Sequence, residues 1–219
     1  MRLNKFLSLH SDLSRRGADQ AIADGRVIVN QKIANLGTQI VEGDVVFLDT
    51  HKIEASKTQI KTVILNKPVG YVCSRNGQGS QTIYDLIPTE YSNLNPVGRL
   101  DKDSSGLLLL TNDGELANQL THPSYGKVKI YEIELEKSLA PLHQQMINDH
   151  GIMLEDGNSK LSLEKLADNK TFRVTMREGR NRQIRRTFAS LGYRVTKLHR
   201  TAFGDYILGK IEPGKVQKI

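Results

Sequence analysis

Cysteine is almost absent from this chain, and long hydrophobic runs are absent altogether. Cys73 is the one cysteine among 219 residues, which excludes an intramolecular disulfide and a cysteine-rich metal site. No segment approaches the ~18 consecutive apolar residues of a membrane-spanning helix, and the first residues carry no apolar signal core. This pattern is typical of the reducing cytoplasm, so we expect a cytoplasmic location and no membrane partner.

Recognisable cofactor motifs are missing as well. The six histidines are scattered, and none has the i, i+4 spacing of a zinc-binding helix. Glycine-rich loops of the kinds that bind nucleoside triphosphates or dinucleotides do not occur in the sequence. We therefore expect neither a metal nor a cofactor.

Positive charge is plentiful but unevenly distributed. The formal net charge is +7, and residues 171–219 hold twelve Lys or Arg against three Asp or Glu. Residues 61–170, in contrast, hold eleven against fourteen. A concentration of positive charge in one part of a chain is typical of a protein that binds a polyanion such as RNA.

The first 49 residues have the pattern of a small separate unit. Leu3, Phe6 and Leu7 have helical spacing, and Ser14 is a suitable N-cap for a second helix that ends at Gly25. Short strands are predicted at 27–29, from 32 onward and at 45–48. Four cations on or beside the predicted helices make this unit a candidate RNA-binding module: Arg2, Lys5, Arg15 and Arg16.

Residues 50–61 are polar and are predicted to be a linker, whereas residues 62–219 combine strands with helices. Strands outnumber helices and seldom alternate with them as they would in a parallel sheet. We therefore expect an α+β protein, in which a small α/β module is followed by a catalytic domain with a mixed, mainly antiparallel sheet. Strands are predicted at 63–65, 107–110, 131–135, 172–176 and 193–198, and helices at 114–120, 138–150 and 181–191.

The segment most suggestive of chemistry is a polar loop in front of four consecutive leucines. The loop covers residues 96–106, and the leucines at 107–110 predict a strand that is buried on both faces. A polar loop fixed to a rigid strand is a common position for catalytic groups, and Asp101 is the strongest candidate within it. The alternative is an aspartate that only stabilises a turn.

Parts of the first unit resemble a known RNA-binding module. The matching segments are Arg2-Leu3-Asn4-Lys5-Phe6-Leu7, Ser14-Arg15-Arg16, Gly25-Arg26-Val27 and Val41-Glu42-Gly43-Asp44-Val45-Val46. Together they are similar to the S-four-type (S4) domain, which a ribosomal small-subunit protein shares with several RNA-modifying enzymes. The resemblance implies that residues 1–49 bind RNA.

Four segments of the second unit carry another resemblance. They are Asn66-Lys67-Pro68-Val69-Gly70, Gly98-Arg99-Leu100-Asp101-Lys102-Asp103-Ser104-Ser105-Gly106-Leu107-Leu108, Lys129-Ile130-Tyr131 and Glu178-Gly179-Arg180-Asn181-Arg182-Gln183-Ile184-Arg185-Arg186. In this order they are similar to the pseudouridine synthases that modify ribosomal RNA, of the ribosomal small-subunit pseudouridine synthase A type. With the S4 match, the resemblance covers nearly the whole chain.

This resemblance implies roles for three residues. Asp101 would be the catalytic carboxylate, Tyr131 would stack on the uracil turned out of the RNA, and Arg185 would pair with Asp101. A carboxylate suits the conversion of uridine to pseudouridine, because it can attack the sugar or the base as a nucleophile, or accept a proton while a glycal forms. The residues leave both routes open.

RNA contacts and a base pocket are also implied by the resemblance. Leu100, Ile184 and Leu198 are expected to wall the pocket. The expected RNA contacts of the second unit are Arg99, Lys129, Arg180, Asn181, Arg182, Gln183 and Arg186.

The sequence thus predicts a monomeric enzyme that isomerises one uridine of ribosomal RNA, either free or in a ribosomal precursor particle. Large-subunit RNA is preferred to small-subunit RNA as the substrate. Two other classes are compatible with the residues. A non-catalytic RNA-binding or ribosome-assembly protein would not need Asp101, and a phosphotransferase would use Asp101 together with Mg²⁺.

Overall fold

The computed structural model describes residues 1–55 and 59–219, and the chain divides into two compact units, residues 1–59 and 60–219. The first unit packs two helices on a small antiparallel sheet with strand order β2-β1-β3-β4. Its elements are α1 (Leu3–His10), α2 (Arg15–Ala23), β1 (Val27–Val29), β2 (Lys32–Ile33), β3 (Val46–Leu48) and β4 (His51–Ile53).

Local sequence explains most of the first unit. The Ser14 side chain accepts a hydrogen bond from the Gly17 N–H at 3.0 Å and caps α2, as predicted. The turn between β1 and β2 places Asn30 and Gln31 at positive φ, a conformation that asparagine adopts more readily than most residues. Buried side chains of both helices, including Leu7, form the core against the sheet.

The predicted linker at residues 50–61 is partly wrong, because β4 lies within it. Its strand His51–Ile53 pairs antiparallel with β3 through a tight turn at Asp49, whose φ is positive. All three residues of β4 are at least partly exposed, so no hydrophobic alternation marked the strand in the sequence. The first unit therefore continues beyond the predicted boundary at residue 49. Residues 56–58 of the predicted linker lie outside the described residues.

The second unit is built on one large sheet, with strand order β11-β12-β8-β13-β7-β5-β15. Strand β13 pairs with β7 in parallel, and the other described strands of this sheet pair antiparallel, which confirms the predicted mixed, mainly antiparallel sheet. Two short strands extend the sheet, β6 on β7 and β14 on β13, while β9 and β10 form a separate hairpin.

The strands of this unit are β5 (Thr62–Lys67), β6 (Asn95–Pro96), β7 (Ser105–Thr111), β8 (Lys129–Leu135), β9 (Ile152–Leu154), β10 (Gly157–Ser159), β11 (Ser162–Lys165), β12 (Thr171–Met176), β13 (Val195–Phe203), β14 (Tyr206–Ile207) and β15 (Val216–Lys218). The helices are α3 (Gly114–Thr121), α4 (Pro141–Gln145) and α5 (Gln183–Ser190). A π-helical turn, Met146–His150, continues α4, and short 3₁₀ turns cover Ile83–Asp85, Thr89–Tyr91 and Pro123–Tyr125. None of the helices within the described ranges is long and apolar enough to cross a membrane.

The run of leucines forms the centre of this sheet. Leu108 and Leu110 pack into the core on one face, and Leu107 and Leu109 pack into a second core on the other. All four side chains are fully buried, so the predicted two-faced strand is confirmed. This strand, β7, supports the polar loop that ends at its first residue.

Gly106 allows β7 and β13 to approach closely. It pairs with Arg200 in the parallel register, and its φ is +104°. A Cβ atom at this position would lie 2.3 Å from the backbone oxygen of Arg200 and 2.6 Å from its nitrogen. Only glycine fits here without separating the two strands.

Candidate active site

A cavity of about 500 Å³ lies where the polar loop meets β8, β13 and the start of α5. This volume is in the range of small-ligand sites. Asp101 and Tyr131 both face it. The other predicted site residues that line it are Arg99, Leu100, Lys129, Arg180, Asn181, Arg182, Gln183, Ile184 and Leu198.

A buried lysine holds the Asp101 loop in place. Lys67, at the end of β5, is fully buried, and its ammonium donates hydrogen bonds to the carbonyl oxygens of Pro68, Asp101 and Ser104 at 3.0, 3.1 and 2.7 Å. Burial lowers the pKa of this ammonium. Because one side chain joins three carbonyl oxygens around Asp101, the loop has a fixed position above β7.

The carboxylate of Asp101 pairs with Arg182. The Arg182 Nη1 atom lies 3.4 Å from Asp101 Oδ2, and the same guanidinium donates to both oxygens of Asp103 at 3.0 and 2.9 Å. Arg182 has a positive φ of 46° and directly precedes α5. This left-handed backbone, which is uncommon for arginine, directs the side chain towards the loop rather than along the helix.

The prediction that Arg185 pairs with Asp101 is wrong for this structure. Arg185 Nη2 donates to the backbone oxygen of Asp103 and Nη1 to that of Val195, both at 2.7 Å, and Nε lies 3.3 Å from the Asp103 carboxylate. Arg185 therefore connects the loop to the start of β13. Arg185 lies within α5, where the helix determines the direction of its side chain. Arg182 precedes the helix, so its side chain is not held to the helical direction.

Asp103 is the acidic partner of both arginines. The hydrogen bond from Arg182 holds its pKa below the ordinary value of 3.8, and the charge of Arg185 acts in the same direction. Asp103 is thus ionised at neutral pH and orders the two guanidinium groups beside Asp101.

Tyr131 lines the same cavity from β8. Its ring is largely buried in the core face of the sheet, and its register partner on β13 is Arg200. Lys129, two residues earlier on the same face, is half-buried, and burial together with the charge of Arg200 lowers its pKa. Leu100, Ile184 and Leu198 are buried and complete an apolar lining. A flat base fits such a wall, because aromatic and aliphatic groups contact both of its faces.

Two of the predicted phosphate contacts are instead engaged by the hairpin of β9 and β10. Arg180 Nη1 donates to the side chain and backbone of Asp156 at 2.8 Å, and to the Gly157 oxygen at 3.0 Å. Arg186 Nη2 lies 2.6 Å from the same Asp156 carboxylate. An acidic turn of this chain thus pairs with both cations in the structure, and their contacts with RNA phosphates stay a prediction.

Gln183 is also structural rather than exposed to RNA. It is buried, and its side-chain amide donates to Ser159 Oγ at 3.1 Å and to Glu178. Asn181 and Arg99, in contrast, face the cavity with at least partly exposed side chains. In the first unit, Arg2, Arg15 and Arg16 are exposed and Lys5 is half-buried. All four side chains therefore have some surface with which a phosphate backbone could make contact.

Sequence reasoning missed several residues of the site. Lys67 and Arg200 are buried cations, although such side chains usually lie at the surface. Ser104 is buried in the cavity wall, and its hydroxyl has no hydrogen-bond partner among the described residues. The position of Lys67, directly before Pro68 at the end of an apolar strand, was the one signal that could have identified it.

Comparisons with known proteins agree with this geometry. The family model described as RNA pseudouridylate synthase matches residues 61–190, and the S4 domain model matches residues 1–46. A solved structure titled as a pseudouridylate synthase is 30% identical, with a TM-score of 0.71, and the match covers 100% of this chain and 96% of that one.

Related sequences carry consistent names. The chain is 37% identical to an uncharacterized RNA pseudouridine synthase of Aquifex aeolicus, over 100% of this chain and 90% of the relative. It is 34% identical to the ribosomal large subunit pseudouridine synthase B of Bacillus subtilis, over 100% and 91%. The protein of the same name from Pseudomonas aeruginosa is 38% identical, but the match covers 94% of this chain and only 56% of that relative. Because the first family model spans more than half of the chain and these relatives match over most of its length, the chain belongs to the RNA pseudouridine synthase family and carries an N-terminal S4 domain.

Proposed function

We propose that this protein converts one specific uridine of ribosomal RNA into pseudouridine, with large-subunit RNA as the preferred substrate. The observation that carries the proposal is that Asp101 and Tyr131 line one cavity together with the apolar residues Leu100, Ile184 and Leu198. The name ribosomal large subunit pseudouridine synthase B, borne by relatives from two organisms, supports the choice of RNA.

The reaction exchanges one bond of the ribose for another. The bond between N1 of uracil and C1′ breaks, the base rotates, and a bond between C5 and C1′ forms, while C5 loses a proton and N1 gains one. In our proposal the Asp101 carboxylate acts at the ribose or the base, and Tyr131 stacks on the rotating uracil. The Arg182 guanidinium lies 3.4 Å from the Asp101 carboxylate and positions it for the substrate. The isomerisation needs no external oxidant or reductant.

The first unit has a separate role in this proposal. Its exposed cations Arg2, Arg15 and Arg16 contact the phosphate backbone of a neighbouring stem, and Lys5 adds to the same surface. Arg99, Asn181 and Arg182 contact the RNA that enters the cavity. We further propose that the protein acts as a monomer in the cytoplasm, on free ribosomal RNA or on a precursor particle.

Mapping of pseudouridines in both ribosomal RNAs, from cells with and without the protein, tests this proposal. We expect one position of the large-subunit RNA to lose its modification without the protein and to regain it with the wild-type chain. Asp101→Asn should not restore it, although the variant should still bind the RNA. Restoration by Asp101→Asn would contradict the proposed chemistry, and a lost position in the small-subunit RNA would contradict the choice of substrate.

A further inference from the structure

One arginine that lines the cavity is buried and has no ion pair among the described residues. Arg200, on β13, is only 2% exposed. Its Nε donates to the Leu107 backbone oxygen at 2.8 Å, and its Nη2 is buried without a hydrogen-bond partner among the described residues. A buried charge and a buried unpaired donor are both unfavourable, and an anionic ligand in the cavity would supply the missing partner of both.

Lys129 is a second cation at the same place. Its Nζ lies 5.1 Å from the centre of the Phe203 ring, and the Arg200 guanidinium lies 4.9 Å from the same centre. The ion pairs of the described residues include neither Lys129 nor Arg200. Burial, and after it the like charge of Arg200, lowers the pKa of Lys129.

Three arginines at or near the cavity differ in this respect, because Arg182 and Arg185 lie against Asp103, and Arg180 against Asp156. Arg99 and Arg177 also line the cavity without an ion pair among the described residues, but both are exposed to water. Arg200 differs from these two because it is buried, and half-buried Lys129 lines the same cavity.

A flipped nucleotide brings one kind of anion into the cavity. Uracil and ribose are neutral, and the negative charge is on the phosphodiester groups. We propose that Lys129 and Arg200 form a binding site for a phosphodiester of the target nucleotide itself. This inference rests on the proposed function. Tyr131 is close to both cations in the sheet, two residues from Lys129 on β8 and opposite Arg200 on β13.

A phosphodiester bound at Lys129 and Arg200 would hold the ribose in place during the reaction. After the glycosidic bond breaks, the base must rotate while C1′ stays near Asp101. The sugar must therefore be held by groups that do not touch the base, and a phosphodiester bound to two cations provides such an anchor. Arg200 is then a substrate-binding residue and Lys129 its partner.

Binding of small nucleotides tests the site without catalysis. The probes are uridine, uridine 5′-monophosphate, uridine 3′-monophosphate and inorganic phosphate, titrated into the full-length protein and followed by amide chemical shifts. We expect one monophosphate to bind about tenfold or more tightly than uridine, as charge-assisted hydrogen bonds would give. Inorganic phosphate should shift the amides next to Lys129 and Arg200.

Variants separate this site from general charge effects. Lys129→Gln and Arg200→Gln should remove most of the preference for the monophosphate and leave uridine binding unchanged. Lys129 is only half-buried, so its variant keeps the test valid if Arg200→Gln does not fold. The matched control is Arg173→Gln, which removes the same charge from an arginine of β12 that pairs with Glu164 outside the cavity.

Equal binding of uridine and both monophosphates by the wild type would overturn the inference. A preference that persists in folded Lys129→Gln would overturn it too. The proposed function fails separately, because a protein that prefers the monophosphate but forms no pseudouridine contradicts the reaction and leaves the anion site intact.

Discussion

The Arg182 guanidinium bridges two carboxylates of one loop, at 3.4 Å from Asp101 and 2.9 Å from Asp103. Asp103 holds the arginine by the closer contact, and the arginine in turn lies against the proposed catalytic group. A second arginine, Arg185, secures the backbone of the same loop. The cation beside the Asp101 carboxylate and the anchor of the loop backbone are therefore different residues, and substitutions should separate their two effects.

Arg182→Gln should lower activity and leave stability almost unchanged. The side chain is 43% exposed, so its ion pairs contribute little to the free energy of unfolding. Loss of the charge beside Asp101 should reduce kcat/KM for pseudouridine formation by about tenfold to a hundredfold. Thermal unfolding and single-turnover kinetics on the mapped RNA measure the two quantities. A large loss of stability with normal kinetics would contradict this assignment.

Arg185→Gln should lower stability more than activity. Only 13% of this side chain is exposed, and its two hydrogen bonds to the backbone oxygens of Asp103 and Val195 would be lost. We expect the free energy of unfolding to fall by about 1 to 3 kcal/mol, measured by urea denaturation. If Arg185→Gln instead abolished activity at unchanged stability, a direct pairing with Asp101 during the reaction would be the better explanation.

Lys67→Met should destabilise the protein by about 2 to 4 kcal/mol. Methionine has a similar length but leaves three buried carbonyl oxygens without their donor, those of Pro68, Asp101 and Ser104. Urea denaturation gives the change in free energy, and activity at low temperature gives the effect on the loop. Lys165→Met, at an exposed position of β11, is the control and should change stability by less than about 0.5 kcal/mol.

Asp103 should make stability depend on acidic pH. Its pKa in the folded protein is below its ordinary value of 3.8, so the folded state favours the ionised form. The resulting stabilisation is complete above the ordinary pKa and is lost as the pH falls through the folded-state pKa. Because the side chain is about half exposed, the effect should be less than about 1 kcal/mol.

Urea denaturation at pH 5 and pH 3 checks this dependence. The wild type should lose more stability between these values than Asp103→Asn, which has no carboxyl group to protonate. The same loss in both proteins would show that other carboxylates account for the acid sensitivity.

The elements that sequence reasoning predicted well are those specified by local patterns. The leucines of β7 and the Ser14 cap of α2 are recognised from a few adjacent residues. Strand β4 escaped prediction because it is a polar strand at the edge of its sheet, held by pairing with β3 rather than by burial of its own side chains. Its partner was not evident from its own residues.

In the candidate site, too, local motifs identified some residues, whereas contacts between distant residues could not be predicted. Asp101 and Tyr131 were identified by motifs, and the structure places both on one cavity. Which arginine contacts Asp101 depends on a single backbone dihedral at Arg182, which a run of similar arginines does not reveal. The partner of Arg180 and Arg186 is Asp156, more than twenty residues away on another element. Long-range partners of this kind require the folded structure.

The absent side chain at Gly106 sets the width of the cavity. Strand β7 carries the Asp101 loop, and β13 carries Leu198 and Arg200, so the contact between their backbones fixes the gap between the proposed catalytic group and the wall that receives the base. The Cβ atom of an alanine would lie 2.3 Å from the Arg200 backbone oxygen, well inside van der Waals contact, so one added methyl group would push these strands apart. The two walls would then hold a pyrimidine less closely at the step in which the base must turn.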